Sequence, residues 1–244
     1  MKISSKIKHL AIIPDGNRRW AQKHSYVGKD VYKEGTQRLY EMLEYLAKHN
    51  LKYFTFWSSS LNNLTHRPGD PLKLFDSLYE ENFTKLLEEK LIWDHAVKIV
   101  IYGAWRGLLK PNTERVIDDA MFKTKDHKGM TFSILVGYDG RLERGNAVLS
   151  LANDIKEGLI ISPSNPLKMD ALLCDRSWTN ALPQVDLIVR TGSWKDPHMS
   201  ANFLTFLSGE SQFVFPPVLW PDFTVTELEM SFRDFLDRER RYGK

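Results

Sequence analysis

Six short apolar runs of strand length, separated by stretches with helical patterning, constrain this 244-residue chain more than any other feature. They fall at His9–Ile13, Tyr53–Trp57, 97–102, 131–138, 187–189 and, more weakly, 213–215. Between them the spacing of apolar residues predicts helices over 31–49, 71–90, 113–123, 141–157 and 167–174, with a last one over 225–241. Strand and helix in alternation specify an α/β fold, a mostly parallel sheet of about six strands with helices on both faces. With 42% hydrophobic residues the chain can fill such a core, and residues 1–244 read as a single domain. The Ser/Pro/Asn stretch 162–166 is a connection within that domain, not a boundary.

The first run ends in Pro14-Asp15-Gly16-Asn17-Arg18-Arg19-Trp20. In an open α/β sheet, ligands bind beyond the carboxyl ends of the strands, and Asp-Gly-Asn is good turn chemistry for leaving a strand there. Arg18 and Arg19 suit phosphate, because a guanidinium is always charged and its fork bonds two oxygens at once. Asp15 repels phosphate by itself; beside two arginines it makes sense where Mg²⁺ bridges it to the same diphosphate. The plainer alternative is an exposed Asp-Gly turn with solvated arginines, and on this motif alone the two stand level.

Charge excludes one class of partner. Lys and Arg number 34 against 31 acidic residues, a formal +3 that is too small to argue for nucleic acid. Cys174 is the only cysteine, which leaves no intramolecular disulfide or thiolate metal set; it reads as a small buried apolar residue in a reduced, cytoplasmic protein. No stretch reaches the length of a membrane span, so a lipid substrate is met in a groove or peripherally at a membrane surface.

Beyond the Asp15 block, the chain carries Arg67-Pro68 after a Ser/Asn-rich loop, Gly137-Tyr-Asp-Gly-Arg141, Asp186-Leu-Ile-Val-Arg190-Thr-Gly192, Leu219-Trp-Pro-Asp-Phe223 and a terminal Arg238-Glu-Arg-Arg-Tyr-Gly243. In order and spacing these blocks resemble the cis-prenyltransferases, the undecaprenyl diphosphate synthase family, over nearly the whole chain. The resemblance implies an enzyme that ionises an allylic prenyl diphosphate with Mg²⁺ and transfers the prenyl group to isopentenyl diphosphate. It implies that Asp15 handles the metal and that Gly16, Asn17, Arg18, Arg19, Trp20 and Arg67 belong to the allylic pocket. Ser60 and Asn63, or their neighbours Ser59 and Asn62, match a Ser-x-x-Asn loop implicated in proton removal. Arg190, His198 and Ser200 fall in the acceptor pocket, and Gln212 aligns with a metal-linked glutamate. Arg241 and Gly243 match a terminal Arg-x-Gly that in homodimeric relatives reaches the partner's acceptor site, which implies a homodimer.

The chain also departs from that pattern. Arg18 stands where bacterial members usually carry glycine, and Lys29 follows Gly28 where they carry histidine, so the resemblance implies that Lys29 supplies the missing charge in the allylic pocket. The segment from Arg190 to Phe203 is two residues longer than usual, lacks a glutamate and has His198 in place of an arginine, with Lys195 nearby. Gln212 replaces the glutamate, although Glu210 is two residues away. These changes support a second reading, an irregular or short-chain prenyltransferase whose acceptor is another allylic diphosphate or a hydroxyl compound. A silent regulatory subunit is disfavoured because such subunits lose the carboxylate that Asp15 retains.

Leu72, Phe75, Leu78, Tyr79, Phe83, Leu86 and Leu87 form a stripe on one helical face, which by pattern alone is ordinary core packing. The resemblance gives that helix a second duty, lining the tunnel for the growing hydrocarbon, with Phe75, Tyr79 and Phe83 limiting its length. Other phosphate chemistries lack their motifs: Gly28-Lys29 has no upstream glycine for a P-loop, Gly137, Gly140 and Gly145 miss the dinucleotide spacing, and the seven histidines show no zinc pattern.

Overall fold

The computed structural model describes residues 6–66 and 69–238. Six strands make one sheet: β1 (His9–Ile13), β2 (Tyr53–Trp57), β3 (Lys98–Tyr102), β4 (Thr131–Leu135), β5 (Leu187–Arg190) and β6 (Gln212–Val214). Their order is β3-β4-β2-β1-β5-β6 and every pairing is parallel. Such a sheet must be covered on both faces, and the pleat divides its residues accordingly. Leu10, Ile12, Phe54, Phe56, Leu187 and Val189 join one core. Ala11, Ile13, Trp57, Leu135 and Ile188 join the other.

The larger core is closed by helices α2 (Lys33–Lys48), α4 (Pro71–Glu88), α6 (Pro111–Thr124) and α9 (Val225–Asp237), which contribute Met42, Phe83, Ile117 and Phe232 among others. The smaller packs against two loops, one before β5 carrying Leu182 and Val185 and one after it carrying Phe203 and Leu207. Helices α7 (Gly140–Lys156) and α8 (Pro166–Cys174) follow β4. α7 is anchored by the fully buried Glu143, which accepts hydrogen bonds from the Tyr138 hydroxyl at 2.5 Å and from Thr179 N and Oγ1 at 3.0 and 2.8 Å.

Three short helices lie where the sequence pattern showed loops: α1 (Asn17–Lys23), α3 (Leu61–Thr65) and α5 (Lys90–Asp94). The expected strand over 131–138 stops at Leu135, because Gly137 turns the chain with φ +60°. The chain leaves β1 toward β2 on one side, while β5 pairs on its other side. That reversal opens a crevice at the carboxyl ends of β1 and β5.

Candidate active site

Asp15 stands at the crevice. Its backbone oxygen accepts hydrogen bonds from Trp220 N (3.1 Å) and Thr191 Oγ1 (2.8 Å), so the turn after β1 is pinned by the chain leaving β5 and by the Leu219–Phe223 segment. Gly16 has φ +118°, and a Cβ there would stand 2.8 Å from Leu219 Cδ2. Gly192, with φ +69°, faces the same turn: its Cβ would stand 2.6 Å from Arg19 Nη2 and 2.7 Å from the Asp15 oxygen. Both positions demand glycine for conformation and for space.

The Asp15 carboxylate joins two arginines. Oδ1 accepts from Arg19 Nη2 at 3.0 Å and Oδ2 from Arg190 Nη2 at 3.1 Å. Arg190 is buried at the end of β5, in register with Ile13 of β1, and its Nη1 donates to Ser200 Oγ (2.8 Å) and to the His198 backbone oxygen (2.9 Å). Among the described residues Arg190 Nε and Trp57 Nε1 are buried donors without a hydrogen-bond partner, and the Asn17 amide oxygen is likewise unpaired while Nδ2 donates to Pro14 O at 3.2 Å. Orphaned polar atoms grouped at one rim mark a place where a polar ligand completes the bonding.

Behind this rim lies a cavity of about 1020 Å³. Asp15, Gly16, Asn17, Arg18, Arg19, Ser60, Asn63, Arg190 and Ser200 line its polar end. Leu39 and Tyr40 of α2, Phe75, Tyr79, Phe83 and Leu86 of α4, and Phe56, Phe132 and Ile134 of the sheet line the rest. The α4 stripe therefore packs the core and walls a cavity at once.

Ser60 caps α3 in a reciprocal box: its Oγ accepts from Asn63 N at 3.1 Å, and Asn63 Oδ1 accepts from Ser60 N at 3.2 Å. The box fixes both side chains at the rim and leaves the Asn63 amide nitrogen outside it. Asp139 and Arg141 also line the cavity, although the sequence reading gave them no role there. Burial alone would raise the Asp139 pKa, but hydrogen bonds from the Arg141 side chain and backbone hold it below the usual value. Their signal was the Gly137–Arg141 block.

Four expected site residues do not line the cavity. Trp20 instead donates Nε1 to Asp222 Oδ1 at 2.7 Å and stacks on His24, clamping α1 to the Leu219–Phe223 segment. Lys29 is exposed and pairs with Glu81 on α4 at 3.6 Å. The His198 ring turns to Asp196, with Nδ1 2.7 Å from its backbone oxygen, so only the His198 main chain meets Arg190. Gln212 begins β6 beside Leu187, at the opposite end of β5 from Arg190, about 10 Å away along the strand; within one chain it does not share a metal with Asp15. Glu210 lies just before it. Arg67, Arg241 and Gly243 lie outside the described residues.

A parallel α/β sheet, a carboxylate between two arginines at its carboxyl edge and a cavity with apolar walls behind them have the chemistry to receive an anionic head and a hydrocarbon tail. The family model described as "Putative undecaprenyl diphosphate synthase" matches residues 13–243, and the chain belongs to that family, the cis-prenyltransferases. It is a prenyltransferase, of the class that extends allylic diphosphates with isopentenyl diphosphate. An isoprenyl transferase of Streptococcus agalactiae is 33% identical over 240 residues, covering 96% of this chain and 92% of the relative. A tritrans,polycis-undecaprenyl-diphosphate synthase (geranylgeranyl-diphosphate specific) of Methanopyrus kandleri is 32% identical over 239 residues, covering 97% and 84%. In fold the chain matches the crystal structure of lavandulyl diphosphate synthase from Lavandula x intermedia in complex with dimethylallyl diphosphate, with a TM-score of 0.84 at 21% identity over 98% of this chain and 99% of that one.

Proposed function

We propose that this chain, acting as one domain over residues 1–244, binds an allylic diphosphate at Asn17, Arg18 and Arg19, with its hydrocarbon in the α2–α4 cavity, and joins it to isopentenyl diphosphate held near Arg190 and Ser200. The observation that carries this reading is the meeting of the Asp15–Arg19–Arg190 cluster with the apolar cavity. The arginines stabilise negative charge as the C–O bond of the allylic substrate breaks and the diphosphate leaves with the electron pair. The apolar wall excludes water from the carbocation, so that the acceptor alkene attacks it. Neither Ser60 nor Asn63 is basic at neutral pH, so they act by orienting the acceptor while a diphosphate oxygen takes the proton.

Asp15 would hold Mg²⁺ only together with substrate oxygens. Among the described residues no group of three or more His, Cys, Asp or Glu side chains could hold a metal ion. A single carboxylate is nevertheless enough for Mg²⁺, which commonly takes one or two carboxylates plus phosphate oxygens. When bound, the metal neutralises charge on the diphosphate.

A homodimer is the proposed assembly. Besides its buried stripe, α7 carries exposed Leu142, Val148 and Leu149, a second apolar face that a partner copy would cover. The resemblance gives Arg241 and Gly243 their place across that interface. No helix among the described residues is long and apolar enough to cross a membrane; the proposed setting is the cytoplasm, with peripheral membrane contact through the lipid product.

The altered acceptor segment supports a second reading, a different acceptor such as a second allylic diphosphate or a hydroxyl compound. The His198 ring bonds Asp196, and its main-chain oxygen, not its ring, accepts from Arg190. Product analysis separates the two. Purified protein with Mg²⁺, a panel of allylic diphosphates and labelled isopentenyl diphosphate should give a ladder of longer prenyl diphosphates that Asp15→Ala abolishes. Consumption of the allylic substrate without elongation would favour the second reading.

A further inference from the structure

Tyr79 is the one residue of the Phe75–Tyr79–Phe83 ladder on α4 that carries a hydroxyl, and the ladder lines the cavity. A buried hydroxyl needs a partner. This one donates to Ser59 Oγ at 2.6 Å and accepts from Ser58 Oγ at 3.3 Å. Ser59 Oγ also accepts from Gly137 N at 3.0 Å. Backbone bonds also tie this loop to the end of β4 and the turn after it: Ser58 N and Ser59 N to Leu135 O, Tyr138 N to Ser59 O and Leu61 N to Tyr138 O. Tyr79 therefore links the helix that faces the hydrocarbon to the loop that presents Ser60 and Asn63 at the rim.

We propose that Tyr79 is a positioning residue: its hydroxyl ties α4 to the Ser58–Asn63 loop and holds that loop in its working orientation while the product lengthens against α4. The inference rests on the proposed role of that loop in the transfer step. It assigns Tyr79 more than bulk, and the two roles differ in the direction of their effects. A residue that only fills the wall can lose its hydroxyl without loss of turnover, and the slightly wider cavity leaves product length unchanged or increased. A positioning residue that loses its hydroxyl slows every addition, so release overtakes extension and products become shorter.

The test is steady-state kinetics and product-length analysis of Tyr79→Phe and Ser59→Ala, singly and together, in the full-length enzyme. Tyr79→Phe should lower kcat about tenfold, the effect expected for one lost hydrogen bond in the transition state, with KM for the allylic diphosphate little changed and the product distribution shifted to shorter chains. Ser59→Ala, which also leaves Gly137 N without its acceptor, should lower kcat at least as far, and the double variant should lose less than the product of the two single losses, because the Tyr79–Ser59 bond is common to both. Unchanged kcat, longer products, or multiplicative losses in the double variant would overturn the inference. Asn63→Ala is measured beside them. Full activity there overturns the inference through its premise, whereas an inactive Asn63→Ala with an unaffected Tyr79→Phe overturns the tether and leaves the role of the loop standing.

Discussion

Asp15 Oδ2 and Arg190 Nη2 stand 3.1 Å apart at the ends of neighbouring strands, although 175 residues separate them in the chain. The parallel register that sets Ile13 against Arg190 makes this contact, so the site is a product of sheet pairing. Asp15 is partly exposed while Arg190 is buried, and Arg190 keeps Ser200 and the His198 oxygen when Asp15 is removed. Asp15→Ala should therefore cost only about 1–2 kcal/mol of stability. Activity should fall at least about a hundredfold, because the variant lacks the proposed ligand for the Mg²⁺ that would neutralise charge on the leaving diphosphate. Thermal denaturation and prenyl-transfer assays on the same sample check both; a loss of fold equal to the loss of activity would contradict this account.

Metal dependence should follow from the same carboxylate. With Asp15 the sole acidic ligand proposed, metal affinity depends on substrate oxygens. A chelator should abolish turnover while leaving the melting temperature of the substrate-free protein unchanged, and Mg²⁺ should raise that temperature only when an allylic diphosphate is present. Stabilisation by Mg²⁺ alone would point to a preformed site that the Asp15 cluster does not supply.

The wall of the cavity gives a prediction about product. Phe83 is 4% exposed and lies on α4 one turn beyond Tyr79. Phe83→Ala should shift products to longer chains. Its destabilisation should be about 2–3 kcal/mol, below the usual range for Phe→Ala, because one side of the ring already faces a cavity. Chromatography of the dephosphorylated products, with urea titration alongside, reads both effects. An unchanged chain length would mean that Phe83 serves the core alone.

Much of this architecture is legible in the sequence. β1 and β2 are readable to the residue because a strand buried on both faces is a near-continuous apolar run, and His9–Ile13 and Tyr53–Trp57 are such runs apart from His9 and Thr55, which hydrogen-bond each other. α1 is not readable: Asn17–Lys23 buries only Ala21 and is held by the bond from Trp20 to Asp222, 202 residues away in the chain. Distance along a strand is equally hidden. Gln212 aligns with a ligand position in sequence, but only the register shows it beside Leu187, at the far end of β5 from Arg190. The Tyr79 stripe reads as apolar wall by its period, while the hydroxyl's partners depend on how α4 lies against the end of β2.

The second face of α7 predicts an interface. Leu149 is 64% exposed and has Leu142 two turns earlier on the same face and Val148 next to it in the chain. Leu149→Lys should convert a dimer to a monomer in sedimentation velocity with little loss of stability in the isolated chain, since an exposed leucine contributes little to its own fold. Activity should fall with the dimer, as the proposed role of Arg241 and Gly243 across the interface requires. A fully active monomer would remove that role.

His9 predicts how stability depends on pH. Its ring is fully buried at the start of β1, with Nδ1 2.8 Å from Pro183 O and Nε2 2.8 Å from Thr55 Oγ1. A carbonyl only accepts, so Nδ1 carries the proton and the bare Nε2 accepts from the Thr55 hydroxyl. Burial is the main cause that lowers its pKa from 6.5 to about 4, against smaller opposing contributions from the Pro183 carbonyl and the Asp186 charge. Above pH 6.5 the ring is neutral in both folded and unfolded chains and its contribution to stability is complete. Between 6.5 and 4 the unfolded chain takes up a proton that the folded chain refuses. Stability then falls by about 1.4 kcal/mol per pH unit, roughly 3 kcal/mol over the window. His9→Phe removes the titrating group and leaves the Thr55 hydroxyl unpaired, so it should be less stable than the native chain at pH 7.5 yet lose less on acidification. Urea midpoints from pH 4.5 to 7.5 should converge as pH falls; parallel curves would show that His9 is not the group that titrates.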